Sequence, residues 1–158
     1  MLGVFKRFLI AALVLSGSTL GAFAQDFQTT KNRAEQGDLT SQYTLGVLYS
    51  NGDGVAKNKP EALKWYEKAA ERGLAHAQYN LALMYNNGDG VPKNDTLAAN
   101  WYRKAADQGH GRSQYNLGLL YSNGRGVTKN DVEAVKWYRK AAEQNVANAQ
   151  FNLAFSYD

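Results

Sequence analysis

The sequence has 158 residues, 44% of them hydrophobic, with 18 basic and 14 acidic side chains, two histidines and no cysteine. That length suits one ordinary domain with a continuous core, and the missing cysteine excludes disulfides, a thiolate nucleophile, a cysteine-ligated metal and a lipidated N-terminal cysteine. Basic and acidic residues interleave without a basic run, which argues against a phosphate-tracking protein, so no nucleic acid is expected as a partner.

The chain opens on Lys6 and Arg7, an apolar run from Phe8 to Leu15, then Ser16-Gly17 and Ala22-Phe23-Ala24. This pattern predicts a signal peptide over residues 1–24, cleaved after Ala24. The apolar run is well short of the roughly 20 residues that a spanning helix needs. No later segment is apolar enough to span either, so the processed chain is expected to be exported, periplasmic or secreted, with no membrane span. Loss of Lys6 and Arg7 leaves 16 basic against 14 acidic side chains, close to balance.

Beyond Ala24 the sequence repeats itself every 36 residues. Gln42-Tyr43 aligns with Gln78-Tyr79, Gln114-Tyr115 and Gln150-Phe151, and Leu45 aligns with Leu81, Leu117 and Leu153. Tyr49, Tyr85, Tyr121 and Tyr157 correspond, followed by Gly52/Gly54, Gly88/Gly90 and Gly124/Gly126, each pair preceding Val55, Val91 or Val127. Trp65-Tyr66, Trp101-Tyr102 and Trp137-Tyr138 come next, each with a pair of alanines three residues on. Self-similarity at this period marks a stacked-repeat architecture. The predicted units are 39–74, 75–110 and 111–146, with a partial unit over 25–38 acting as a frayed cap helix and another, first helix only, over 147–158.

Each unit reads as two amphipathic helices. In the first, Ala77, Leu81, Met84 and Tyr85 form one stripe of a 3.6-residue period; in the second, Ala62, Trp65, Tyr66, Ala69 and Ala70 do the same. The Asn51-Gly52-Asp53-Gly54-Val55 segment and its copies stop the first helix, because glycine accepts the left-handed conformation of a helix end. The valine gives the loop an apolar foot. The second helix is expected to start after Lys59, Asp95 or Asp131, with Asp95 and Asp131 as caps and Pro60 where its missing N–H costs nothing. Gly73, Gly109 and Asn145 then end the second helices.

These residues resemble the Sel-one-like repeat family, a relative of the tetratricopeptide repeats. The likeness is carried by Ala77-Gln78-Tyr79-Asn80-Leu81-Ala82-Leu83-Met84-Tyr85, Gly88-Asp89-Gly90-Val91 and Ala99-Asn100-Trp101-Tyr102-Arg103-Lys104-Ala105-Ala106, with equivalents in the flanking units. It implies an all-α fold, a right-handed superhelix of stacked helix hairpins, with the first helix of each unit lining the concave face. Some secreted members have been linked to penicillin binding and β-lactam hydrolysis, and those carry a cysteine pair in each repeat. This chain has none, which leaves that activity as a distant alternative.

No positioned catalytic set emerges. His76 stands where the other units have Thr40, Arg112 and Asn148, and His110 sits beside Gly109 in a turn; the plainer reading of both is an exposed side chain. No His-x-x-x-His, paired metal motif or phosphate-cradling loop is present, and the Gly-x-Gly pairs follow helices rather than strands. No catalytic residue, metal or cofactor is expected. Glu67 and Glu71 share an exposed helix face with Lys64 and Lys68, a solvated ion-pair surface.

Positions identical in every unit build the repeat, and variable exposed positions are free to recognise a partner. By that test Gln42, Gln78, Gln114 and Gln150 are structural, and the tryptophan and tyrosine ladder is core. The candidate partner-binding row is Thr44, Asn80, Asn116 and Asn152, one per first helix. Amides both donate and accept, so this row suits the backbone of an extended peptide; it equally suits helix-to-helix hydrogen bonds within the stack. Beside it lie a variable polar column, Thr40, His76, Arg112 and Asn148, and an apolar one, Val47, Leu83, Leu119 and Phe155. The function expected is therefore an interaction scaffold for a protein or peptide. A carbohydrate or cell-wall binder is the runner-up, and it requires exposed aromatic rings. Phe151, Leu153, Ala154 and Phe155 add an apolar surface on the last helix, which predicts end-to-end self-association.

Overall fold

The computed structural model describes residues 26–155; the signal peptide expected over 1–24, Tyr157 and the last residue Asp158 lie outside the described residues. The described chain is helical throughout, with no strand among its residues. A helix α1 over 26–35 is followed by α2 Leu39–Asn51, α3 Lys59–Glu71, α4 Ala75–Asn87, α5 Asp95–Asp107, α6 Gly111–Asn123, α7 Asp131–Glu143 and α8 Ala147–Phe155. Each helix packs on the next, α2 on α3, α3 on α4 and so to α8. This is the all-α solenoid of helix hairpins.

The stripes read from the sequence are the core. Ala62, Trp65, Tyr66, Ala69 and Ala70 are all buried, as are Ala77, Leu81 and Met84. Leu45, Leu81 and Leu117, one per unit, are fully buried. Val91 and Val127 pack under their loops onto the core that their own unit shares with the unit before. The α1 segment is a continuous helix over its described residues where a frayed one was expected. Phe27 sets its ring edge-on against Tyr49 at 5.6 Å, and the buried Ala34 lies against Leu45 and Trp65.

The caps of the second helices differ from expectation. Asn58, Asn94 and Asn130 are the N-caps, their side-chain oxygens accepting from the backbone N–H of Glu61, Leu97 and Glu133. Asp95 and Asp131 stand one residue later, inside the first turn. There a carboxylate favours the positive end of the helix dipole rather than capping. Each asparagine has a second role, because its own N–H bonds the carbonyl of Tyr49, Tyr85 or Tyr121 at 2.8, 2.8 and 3.0 Å and closes the glycine loop. Asn145 adopts the left-handed conformation, φ 60°, that Gly73 and Gly109 adopt in the other units.

Two rows of contacts fix one unit on the next. The amide groups of Gln42, Gln78, Gln114 and Gln150 donate to the carbonyls of Ala34, Ala70, Ala106 and Ala142 in the preceding helix. The first three in turn accept from Arg72, Gln108 and Gln144 of the following helix at 2.7 to 3.0 Å. A buried amide satisfied at both ends is stable where an unpaired one would not be.

The second row lies at the loops. Lys59 at the start of α3 pairs with Asp89 in the next unit's loop at 2.7 Å, and Asp95 at the start of α5 pairs with Arg125 at 2.6 Å. The positions are equivalent and the signs are exchanged. Lys59 against Arg125, or Asp89 against Asp95, would place like charges together, so the pairs specify which unit follows which.

Candidate functional site

Side chains of the first helices and of the turns leading into them line a furrow made of two recesses. One, of about 600 Å³, lies among Tyr43, His76, Tyr79, His110, Arg112 and the α7–α8 turn at Val146. The other, of about 350 Å³, lies among Val47, Ser50, Lys59, Leu83 and Asn87. Tyr43 and Asn80 border both, so the recesses are continuous.

The furrow gathers His76, Asn80, Leu83 and Arg112 from the candidate residues. Thr44, Asn116, Leu119 and Asn152 are not among the residues that line these two recesses. Thr44 turns its hydroxyl back to the Thr40 carbonyl at 2.9 Å, within its own helix. Phe155 has no described side chain. Leu83 and Leu119 are half-buried, as are Asn80, Asn116 and Asn152.

The asparagine row also serves the stack. Burial pushes the Tyr66 phenol up to about 12, while hydrogen bonds from Ser50 and Asn80 pull the other way. Tyr102 is raised further still by burial, with Asn116 bonded to its hydroxyl, and Tyr138 is raised by burial with Asn152 and Ser122 on its hydroxyl. Each asparagine therefore anchors a buried tyrosine of the preceding second helix. An amide offers three hydrogen-bonding sites beyond one such contact, so anchoring does not use up the row.

The rings in the first recess form a chain that the 36-residue alignment does not reveal. Tyr43 meets His76 at 6.1 Å, His76 meets His110 at 5.1 Å, and His110 meets Tyr79 at 4.8 Å between ring centroids. His110 is half-buried and N-caps α6, its Nδ1 accepting from the Ser113 N–H at 3.3 Å. A nitrogen that accepts from a backbone N–H carries no proton, which places the proton of the neutral ring on Nε2. Burial holds the His110 pKa below its ordinary value, and the nearby His76 and Arg112 lower it further. Among the described residues no carboxylate pairs with Arg112, whereas Arg125 is clamped to Asp95 by two hydrogen bonds.

The sequence reading treated His110 as an isolated turn residue and assigned no role to Tyr43 or Tyr79 at the furrow. The signal was the spacing of the histidines. At 34 residues apart, they fall two short of the repeat, which puts the closing turn of the second unit beside the start of that unit's own first helix.

The Sel1 repeat family model matches residues 39–74, 75–110 and 111–146. A protective antigen of uropathogenic Escherichia coli strains, with an SLR fold, superposes with a TM-score of 0.84 at 40% identity over 85% of this chain and 29% of its own. A Sel1 repeat protein from Oxalobacter formigenes gives 0.76 at 43% identity over 82% of this chain and 98% of its own. Cysteine rich protein B of Helicobacter pylori gives 0.67 at 26% identity over 82% of this chain and 96% of its own. The chitin synthase regulator of Saccharomyces cerevisiae is 43% identical over 53 residues, which are 31% of this chain and 8% of that protein. The chain thus spans under a third of the Escherichia coli antigen and a small fraction of the yeast regulator. With three matched repeats covering most of its length, the chain belongs to the Sel1 repeat family, whose helical solenoids are generally non-catalytic modules for protein interaction.

Proposed function

We propose that this chain is an exported scaffold that holds an extended polypeptide in the furrow of its first helices. The observation that carries the reading is the continuity of the two recesses through Tyr43 and Asn80, lined by the recurring Tyr43 and Tyr79 together with side chains that vary between units, among them His76, Arg112, Val47 and Leu83. Asn80 holds the backbone of the guest and the half-buried Leu83 takes an apolar side chain, while Asn116 and Leu119 extend the same two columns beyond the recesses. Export rests on Lys6, Arg7, the apolar run and Ala22-Phe23-Ala24. The yeast relative is named for regulating an enzyme, a role exerted on another protein, and it supports the same reading.

A sugar-binding role has less support, because Trp65, Trp137, Tyr66, Tyr102 and Tyr138 are buried, which leaves the half-buried Tyr43 and Tyr79 as the rings at the furrow.

The test uses a peptide selected on the chain from a random display library. Replacing Asn80 and Asn116 together by alanine is expected to weaken that peptide about tenfold in calorimetric titration. The lost bonds to Tyr66 and Tyr102 lower stability by about 1 kcal/mol each, so the helical circular dichroism persists. Unchanged affinity with unchanged helicity overturns the furrow assignment.

End-to-end association belongs to the same proposal, and it is supported by Phe151 of α8, 64% exposed. Sedimentation coefficients are expected to rise with concentration, and Phe151→Ser to abolish the rise. A strictly monomeric chain contradicts it.

A further inference from the structure

Arg112, His76 and His110 bring cationic and N–H donor groups into a recess whose lining includes no carboxylate. Arg112 is exposed and has no acidic partner among the described residues. The remaining walls are the rings of Tyr43 and Tyr79, the amides of Asn80, Gln144 and Asn145, and the small aliphatic surface of Val146 and Ala147. The recess also opens at the start of α6, a 13-residue helix whose first-turn N–H groups and dipole favour a negative group. By contrast Lys59 pairs with Asp89, Lys64 with Glu61, Lys136 with Glu133 and Arg125 with Asp95.

We propose that it receives an acidic side chain, aspartate or glutamate, of the polypeptide lying in the furrow. The inference rests on the furrow reading and names the chemistry of its guest. The Arg112 guanidinium supplies a charge-assisted hydrogen bond to the carboxylate, and the His110 Nε2–H is a further donor held in orientation by the cap to Ser113. The amides of Asn80 and Gln144 serve the adjoining backbone.

A pH dependence follows. His110 faces His76 and Tyr79 of α4 and Arg112 of α6, with Tyr43 of α2 behind His76, and the α7–α8 turn brings only the neutral Gln144, Asn145 and Val146. In the empty recess burial, and then the nearness of His76 and Arg112, disfavour its charged form. A bound carboxylate favours that form, so binding takes up a proton at Nδ1, which exchanges the Ser113 N–H for donation to the Ser113 Oγ 2.9 Å away, and tightens as the pH falls.

Fluorescence anisotropy of two fluorescein-labelled peptides of equal length tests this, one alternating glycine with glutamate and the other glycine with lysine. The glutamate peptide is expected to bind at least about tenfold more tightly. Arg112→Glu, at an exposed position without a partner to lose, is expected to remove that preference with helicity intact. From about pH 7.5 to about pH 5.5 the wild-type affinity is expected to rise, whereas the double variant His76→Asn with His110→Asn, which keeps a capping oxygen at position 110, gives a flat profile. Equal binding of both peptides, indifference to Arg112→Glu or a flat wild-type profile each overturns the proposal. Charge-blind binding that still weakens when Asn80 and Asn116 become alanine overturns the acidic guest and leaves the furrow standing.

Discussion

Replacing Gly126 by alanine is expected to destabilise the stack by about 3 kcal/mol, a large effect for one methyl group. Gly126 is the second glycine of its loop, with φ 69°, where an L side chain is strained. The heavier cost comes from its neighbour. A Cβ at Gly126 would overlap the Asp95 carbonyl and stand 2.7 Å from the Thr96 nitrogen, at the start of α5 in the preceding unit. Backbone in the first turn of a capped helix cannot step aside as a side chain can. Gly90 makes the equivalent approach to Lys59 one unit earlier. In the second and third loops the second glycine is thus the place where one unit rests on the last. Gly73→Ala provides the comparison, since φ is 93° and nothing lies within 4 Å, so only the conformational cost of about 1 kcal/mol applies. Urea unfolding followed by circular dichroism reads the difference. Equal losses in the two variants would show that close approach between units is not what the glycine serves.

Tyr102→Ala is expected to cost about 3–5 kcal/mol. Its side chain is among the largest that are fully buried, packed with Ala82, Ala98, Ala99, Leu117, Leu120 and Trp137 at the junction of the second and third units. Removing the ring opens a cavity that the alanine-rich surroundings cannot fill, because those residues have no longer side chains to move in. Tyr102→Phe keeps the ring and loses the hydroxyl bonded to Asn116, which is expected to cost about 1 kcal/mol. The phenol carries a pH signature as well. Burial raises its pKa in the folded chain, so its contribution is fully present below the unfolded value of about 10 and is lost as the pH rises through the folded value. Wild-type stability is expected to fall above about pH 10, and to fall less steeply in Tyr102→Phe. Identical alkaline profiles would contradict the buried, un-ionised hydroxyl.

The repeat itself was legible because packing imposes identity at a fixed period. Leu45, Leu81 and Leu117, the paired alanines and the glutamine row each recur because the same environment recurs. Features resting on complementarity were harder to read. Lys59 with Asp89 and Asp95 with Arg125 look like scatter in an alignment of units, since the signs exchange from one junction to the next. The caps were misplaced by one residue because aspartate is as good a cap as asparagine in isolation. What decides is the loop: the N–H of Asn58, Asn94 and Asn130 must reach back to a tyrosine carbonyl, and that fixes which residue stands at the helix start.

The site was half legible. Asn80, His76, Arg112 and Leu83 share the furrow as their columns suggested, whereas Thr44 bonds its own helix, a threonine hydroxyl being short enough to reach the carbonyl one turn back. The ring chain from Tyr43 through His76 and His110 to Tyr79 was hidden because it joins positions that are not equivalent in the repeat.

The central claim is that recognition occurs on the first-helix furrow, and amide chemical-shift mapping with a display-selected peptide tests it most directly. The account predicts that saturating peptide shifts the amides around Tyr43, Asn80, Leu83 and Arg112 in α2, α4 and α6. Shifts confined instead to the second helices, around the exposed Leu97 and Val132, would contradict it.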